Sequence, residues 1–492
     1  MNNRRYLCAT PRLLVVLGAA LLLPTIAAGQ IPPPPTFSTP PLRPAPQAPL
    51  PQGTFLGGVP TGTSTGAVVT LSVVDAILRA LEHNLGVLMA EEAVGRAQGS
   101  RYRALAELLP NVNGRVSETR QIINLAAFGF SGGPGTPFEG IPPLIGPFNV
   151  FDARVYLSQS VLDLAALNSK RAEEHNVEAA RLSHQSARDF VIHVAGNLYI
   201  QALAASARVD SARTQQQTAQ ALYNQALDLK QGGVIAGIDV LRAEVQLNAQ
   251  TQRATIAVNE FEKAKLSLAR VIGLPLGQPF ALDTNLPDLP ASDMSFDSAV
   301  ELAYRTRPDY LASLERIRSA EAERESARGS NLPSVRVNAD YGAIGLAAAD
   351  AQATYAVMGA VNVPIFQGNR AKGRLLEADA DLRNRRSEAE DLKASIYYEV
   401  RGAYLDIEAT AQQLSVAGKA RDLAAQQLTQ ARDRFAAGVA SNIEVVQAQD
   451  AVALASEQFI AAQYGYALAK GALVRGVGAS QEALRQLLGG PR

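Results

Sequence analysis

From about Leu71 onward the chain repeats itself once. Ser72-Val73-Val74-Asp75-Ala76 and Leu109-Pro110-Asn111-Val112 recur as Ser295-Phe296-Asp297-Ser298-Ala299 and Leu332-Pro333-Ser334-Val335, at an offset of 223. Further along, Val191, Ala195 and Tyr199 recur as Ile396, Val400 and Tyr404. Gly233-Val234, Ile238-Asp239 and Ala264-Lys265 recur as Gly438-Val439, Ile443-Glu444 and Ala469-Lys470, all at an offset of 205. The first copy is therefore 18 residues longer, and the Gly/Pro/Phe-rich stretch from Phe128 to Phe148 accommodates the excess. A chain built from two copies of one unit folds as two related halves, so an element read in one copy is checked by the other.

Each copy carries a long helical signal. Val191, Ala195, Leu198, Ala202, Ala205, Val209, Ala212, Gln216, Ala219, Tyr223 and Ala226 follow one another at steps of four and three, as do Ile396 through Thr410 and Arg421 to Ala431. This is a heptad seam. A second helix in each copy keeps the same rhythm, from Val240 through Ala254 to Leu268 and from Val445 through Phe459 to Leu473. The many alanines at seam positions let helix axes approach closely. The spacing predicts a helix over 165–231, roughly 100 Å long at 1.5 Å per residue. Such a helix is stable only when it is packed along its whole length.

Between the helices the period falls to two. Val335, Val337, Ala339, Tyr341 and Ala343 alternate with Arg336, Asn338, Asp340 and Gly342, and Tyr355 to Val363 alternates likewise. The first copy offers Phe151, Ala153, Val155 and Leu157, while the strand after Pro110 is interrupted by Glu118 and Arg120. Strands of this length with one apolar face fit a membrane barrel; four strands of a soluble sandwich are the alternative, which alternation alone does not separate. If they lie in a membrane, four strands cannot close a barrel and an open edge in lipid is forbidden, so several chains must pool them in a ring. Each copy thus reads helix, strand, loop, strand, long helix, tight glycine turn, helix.

The rest of the chain fixes the compartment. Arg4, Arg5 and Arg12, the apolar run from Leu13 to Leu23 and the small residues Ala27-Ala28-Gly29 read as a secretory signal peptide over 1–29. Residues 30–70 form a Pro-rich leader, either an extended tether or a segment without a role. The first repeat covers 71–275, a linker 276–294, the second repeat 295–478 and a tail 479–492. The single cysteine, Cys8, lies in the signal peptide, so the mature chain has no thiol nucleophile, disulfide or cysteine metal ligand. A formal net charge of zero with scattered signs gives no footprint for nucleic acid. The sequence holds no nucleophile–base set, phosphate loop or nucleotide fingerprint, and it predicts no enzyme and no cofactor. His175, His184 and His193 are spaced nine residues apart, which turns neighbours to opposite sides of a helix and argues against a metal site.

Three runs carry a family resemblance. Arg307-Pro308-Asp309-Tyr310-Leu311 and Val363-Pro364-Ile365-Phe366-Gln367-Gly368-Asn369-Arg370 resemble signatures of the second repeat of TolC-type outer-membrane efflux proteins. Leu157-Ser158-Gln159-Ser160-Val161-Leu162-Asp163 resembles the matching crossover of the first, with Ser160 where proline is common. The resemblance spans about Leu71 to Leu488. It implies a mainly α fold with a β-barrel contribution: a homotrimer pooling twelve strands in the outer membrane, continued by a coiled-coil tunnel into the periplasm. It also implies a passive exit duct served by an inner-membrane pump and a periplasmic adaptor. The rival reading is a soluble periplasmic coiled-coil adaptor or scaffold, which would carry one helical hairpin rather than two complete units. The cargo is not legible.

The same resemblance sets Asp239, Glu444 and Gln447 at a periplasmic aperture, and it sets Gly233, Val234, Gly438 and Val439 at hairpin tips that meet an adaptor. Ala440 stands where some relatives have an arginine that locks the closed tunnel. Three copies of Asp239 and Glu444 near one axis would attract cations. Alternatively, Ser441-Asn442-Ile443-Glu444 has the spacing of a capping box, and Asp239 complements the dipole of a helix first turn. Gly233 and Gly438 also serve simply to end helices in left-handed conformation.

Overall fold

The computed structural model describes residues 52–128, 142–284 and 294–487. The signal peptide, the leader up to residue 51, Phe130 and Phe138 of the long loop, part of the linker and the end of the tail lie outside the described residues. In chain order the elements are β1 (Val69–Leu71), α1 (Val73–His83), α2 (Leu85–Ala106), β2 (Asn111–Asn124), β3 (Leu144–Leu162), α3 (Leu164–Gln231) and α4 (Gly237–Val271). The second half continues with β4 (Phe280–Leu282), α5 (Phe296–Thr306), α6 (Pro308–Gly329), β5 (Ser334–Gly345), β6 (Gln352–Asn362), α7 (Arg370–Ala436), α8 (Asn442–Gly476) and α9 (Ser480–Leu487). Two compact units result. One gathers Asn113–Tyr156 and Asp340–Ala356, and the other holds the helices with β1 and β4.

The first helix of each copy is two helices, which the periodicity does not reveal. In the first copy Asn84 ends α1 in extended conformation, and its Oδ1 accepts from the Gly86 backbone N–H at 2.9 Å, starting α2. In the second, Pro308 at the start of α6 forces Arg307 out of helical conformation and ends α5. Ser72 begins α1 with a reciprocal box to Asp75, and Ser295 begins α5 by accepting from the Ser298 N–H.

In the helical unit α3 packs against α4 and α7 against α8, while α3 also meets α2, α6 and α8. The predicted seam lies inward: Val191, Ala195, Ala202 and Ala205 on α3 are buried, as are Ile396, Val400 and Ala403 on α7. Gln216, Thr410 and Arg421, which interrupt the apolar rhythm, are only half-buried. Gln216 donates to Thr251 at 3.2 Å, and the Arg421 guanidinium lies 4.0 Å from the Phe459 ring centroid. By length and composition α3 could cross a membrane. In this fold its apolar residues Val191, Ile192, Tyr199 and Leu203 instead close a core with α1, β1 and the end of α4.

Two tyrosines at equivalent positions fasten each long helix to the chain that brackets it. The Tyr199 hydroxyl lies 2.8 Å from the carbonyl oxygens of both Leu71 and Asp283, the residues that end and follow the parallel pair β1–β4. The Tyr404 hydroxyl donates to the Met294 carbonyl at 2.6 Å.

A polar junction ties together three helices of the second copy. Arg307, only 4 % exposed, donates to Asp309 on α6, to Glu399 on α7 at 2.6 Å and to the carbonyl of Gly476 at the end of α8. Burial pushes the Asp309 carboxyl up, but the hydrogen bonds and charge of Arg307 outweigh it and hold that carboxyl below its usual value. Asp189 of α3 lies beside this group with one carboxylate oxygen unpartnered. Burial, with the charge of Asp309 adding to it, pushes its pKa up to about 6, while Gln481 of α9, Arg188 and Arg307 pull it down.

The strands β2, β3, β5 and β6 form one sheet in that order, leaving β2 and β6 as its edges. β2 runs through Glu118 because the Glu118 carboxylate accepts from Asn149 of β3 at 3.2 Å. On the other side of β3, Arg154 holds Asp152 through two hydrogen bonds and reaches Asp340 of β5 at 3.1 Å. Gly342 makes room for that reach, since a Cβ there would overlap the Ala153 carbonyl and Arg154 itself.

Replacing Ala202 and Ala205 together with leucine should overpack the seam and cost about 1–3 kcal/mol per site. Thermal denaturation of the assembled protein measures this, and an unchanged melting point would show the seam to be misassigned. For Asp189 the folded pKa, about 6, exceeds the ordinary 3.8, so the folded chain holds the proton more tightly. Ionisation therefore erodes stability as pH rises between those two values, and the full cost persists above them. Asp189→Asn should raise the melting point at neutral pH and leave it nearly unchanged near pH 4, the ordinary carboxylate value. A variant less stable than the parent at neutral pH would contradict this.

Candidate functional site

The two helix turns at the far ends of α3 and α7 are built alike. Gly233 and Gly438 both adopt φ of 71°, which closes each helix in left-handed conformation. The following N–H reaches back to complete the cap: Val234 to Leu229 at 2.9 Å and Val439 to Arg434 at 3.0 Å. The helix-ending reading of the glycines therefore holds. Each turn leaves its valine in solvent, with Val234 63 % and Val439 69 % exposed.

Asp239 and Glu444 follow in the first turns of α4 and α8. Asp239 pairs with Arg242 one turn along the same helix at 3.1 Å. Glu444 lies 3.6 Å from Arg434 at the end of α7. The capping box at Ser441 does not form, for the Ser441 side chain makes no cap hydrogen bond. Glu444 is drawn to Arg434 instead, and its own N–H bonds the Ser441 carbonyl at 3.1 Å. Asn442, 3 % exposed, uses its side-chain amide to hold the Asp239 carbonyl at 2.9 Å, tying the start of α8 to the start of α4. Neither Asn442 nor Arg434 stands out in the sequence. The only signal was positional, since Asn442 falls where the first copy has Gly237.

Gln447 joins Arg242, Ile238, Leu241, Ile443 and Val446 among the residues lining a groove of about 350 Å³ between α4 and α8. Asp239 and Glu444 thus lie in the first turns of two neighbouring helices with Gln447 in the second turn of α8, and the structure brings the two acids together with two arginines rather than with each other.

Among the described residues no group of three or more His, Cys, Asp or Glu could hold a metal ion. His175 Nδ1 lies 2.8 Å from Glu315. Burial, together with the nearby Arg475 charge, pushes His193 down to about 4, so it is neutral at physiological pH.

Comparison with known proteins agrees with this architecture. Residues 299–479 match the family model described as Outer membrane efflux protein. The chain is 23 % identical over 417 residues to the pyoverdine export outer membrane protein OpmQ of Pseudomonas putida, covering 83 % of this chain and 85 % of that relative. Its fold is similar to that of the Campylobacter jejuni CmeC outer membrane channel, with a TM-score of 0.74, 18 % identity, and 89 % of this chain and 93 % of that one covered. It is also similar to the open state of the Neisseria gonorrhoeae MtrE outer membrane channel, with a TM-score of 0.69, 18 % identity, and coverage of 86 % and 94 %. The family model thus matches the second repeat, and the relative and the solved channels are similar to this chain along most of its length.

Proposed function

We propose that the protein is the outer-membrane exit duct of a tripartite efflux system, conducting cargo passively with no catalytic step. The observation that carries this reading is a four-stranded sheet with two open edges on the same chain as two helical hairpins with long helices of 68 and 67 residues. An edge strand in lipid leaves its N–H and C=O groups without partners, so β2 of one copy pairs with β6 of the next. Three copies pool twelve strands, above the minimum of about eight for a membrane barrel. The apolar side of the sheet suits lipid. Tyr341, Tyr355, Val357 and Val361 are exposed there.

The helices support the same assembly. Within one chain α3 meets α4 and α8, and α7 meets α8, α6 and α5. Apolar residues nonetheless stay exposed on both outer hairpin helices: Ile256 and Leu266 on α4, and Tyr398, Leu405, Val416 and Leu423 on α7. Two different surfaces that complement each other generate a closed ring by rotation. The barrel lies in the outer membrane and the hairpins extend into the periplasm. There Asp239, Glu444 and Gln447 line the aperture, and Gly233, Val234, Gly438 and Val439 meet the adaptor that links the duct to an inner-membrane pump.

Epitope tags placed in the 345–351 loop should be labelled on intact cells, and tags at Gly233 should be labelled only after the outer membrane is opened. Surface labelling at Gly233 would reverse the orientation. Converting Asp239 and Glu444 together to alanine should reduce the cation preference of the closed pore in planar bilayers. Unchanged selectivity in an assembled trimer would remove both residues from the aperture.

A further inference from the structure

Duplication supplies a template for the border between neighbouring subunits. Within one chain the long helix of the first repeat, α3, packs against the second helix of the other repeat, α6. The strands joined to them, β3 and β5, are neighbours in the sheet. When β6 pairs with β2 of the next subunit, α7 takes the place of α3, and α2 of that subunit takes the place of α6. The helices are matched for this exchange. Both α2 and α6 have 22 residues, at an offset of 223, and α3 and α7 run in step at an offset of 205.

The contacts inside the chain are close and polar. The Ser326 hydroxyl of α6 lies 2.9 Å from both the Ser169 hydroxyl and the Ala165 carbonyl oxygen of α3. A Cβ at Gly329 would come within 2.8 Å of the Ala165 nitrogen, so glycine is what permits the approach. None of this transfers to the border. The counterparts of Ser326 and Gly329 are Arg103 and Ala106, and those of Ala165 and Ser169 are Arg370 and Arg374. The Ala106 Cβ keeps the two helices apart, and three guanidinium groups gather at the gap. The pair of His175 with Glu315 is lost as well, since Ala380 stands for the histidine. Asp163, whose carboxylate accepts from the Ala166 N–H at 2.9 Å, has Gly368 as its counterpart, which removes an acid.

Arg103, Arg370 and Arg374 are all exposed in the single chain. Arg103 donates to the Ser100 hydroxyl at 3.0 Å, and among the described residues none of the three forms an ion pair. The nearest acids along the chain are Glu107 and Glu377, so with Lys372 counted four cations stand against two acids. Ile365 and Phe366, four to five residues before Arg370, are 94 % and 87 % exposed.

We propose that each border between subunits holds the phosphate of an anionic phospholipid from the periplasmic leaflet, gripped by Arg103 of one subunit and by Arg370 and Arg374 of its neighbour. The site rests on the duct reading, which sets the strand-to-helix crossovers at the periplasmic edge of the membrane. Guanidinium groups bind phosphate through paired N–H···O bonds. Three of them brought together repel one another unless an anion neutralises them. A lipid suits the place better than a free anion. Ile365 and Phe366 offer apolar contact for acyl chains, and basic clusters at a membrane edge attract anionic headgroups. Inside the chain the equivalent place is closed by the contact of Ser169 with Ser326, so the site occurs only at subunit borders.

The test is native mass spectrometry of the full-length trimer, purified in mild detergent and supplied with phosphatidylglycerol or phosphatidylcholine. Parent trimers should retain up to one phosphatidylglycerol per border and several-fold less phosphatidylcholine. Arg370→Gln with Arg374→Gln, and separately Arg103→Gln, should lower phosphatidylglycerol retention several-fold. Arg213→Gln, at an exposed arginine far along α3, should leave it unchanged. Arginine variants that retain as much lipid as the parent overturn the site. Retention of inorganic phosphate in place of lipid identifies a free anion as the occupant and overturns it too. The border is checked separately, because the one cysteine of the chain is Cys8. Arg103→Cys combined with Arg374→Cys should be linked between subunits by a short bis-maleimide. Conducting trimers without that link overturn the placement of the border and the site with it. If the parent protein forms no channel in planar bilayers, the duct reading itself fails.

Discussion

Lateral burial of the long helices is the constraint on which everything else depends. A helix of 68 residues cannot be held by its own hydrogen bonds, because helical stability in water comes chiefly from the packing of an apolar face. Alanine supplies that face here. A seam of Ala195, Ala202, Ala205, Ala212, Ala219 and Ala226 buries little area per residue, so it must be continuous to suffice. The small side chains bring axes close, and the apolar area forgone at each position is recovered over the length of the hairpin. Within one chain that burial stays incomplete, for Ile256 and Leu266 of α4 and Leu405, Val416 and Leu423 of α7 remain exposed.

Duplication explains the shared features and makes the differences informative. Tyr199 and Tyr404 do the same work, and Gly233 and Gly438 close their helices with the same φ. The buried arginine of the junction has no twin, since Asn84 occupies its place in the first copy. Asn84 caps a helix with a neutral amide, whereas Arg307 gathers three backbone and side-chain partners from α6, α7 and α8. A buried guanidinium with two carboxylates is stable only when all are paired, which fixes the meeting angle of those helices.

Much of the fold was legible because periodicity is a property of one residue type at a fixed step. The seam positions, the long helix, the four strands and the glycine turns all carried that signal. The break between α1 and α2 did not, because a single asparagine can end one helix and start the next without disturbing the apolar rhythm. The partners of charged residues were not legible either. Glu444 had the spacing of a capping box, but Arg434 lies beyond the turn, and only the folded turn brings it within 3.6 Å. Asp189 and Arg307 are 118 positions apart in the chain and meet only through the packing of α3 on α6. The strand after Pro110 looked weak because Glu118 reads as an interruption, whereas Asn149 across the sheet satisfies it.

The amide bridge from Asn442 to the Asp239 carbonyl has a mechanical consequence. It couples the two hairpin ends of a single subunit, and the glycine at the corresponding place in the first copy means that no reciprocal bridge exists. A pair of ends linked in this way swings as one lever. The two hairpin ends of one chain therefore move together, and neither shifts without pulling on the other.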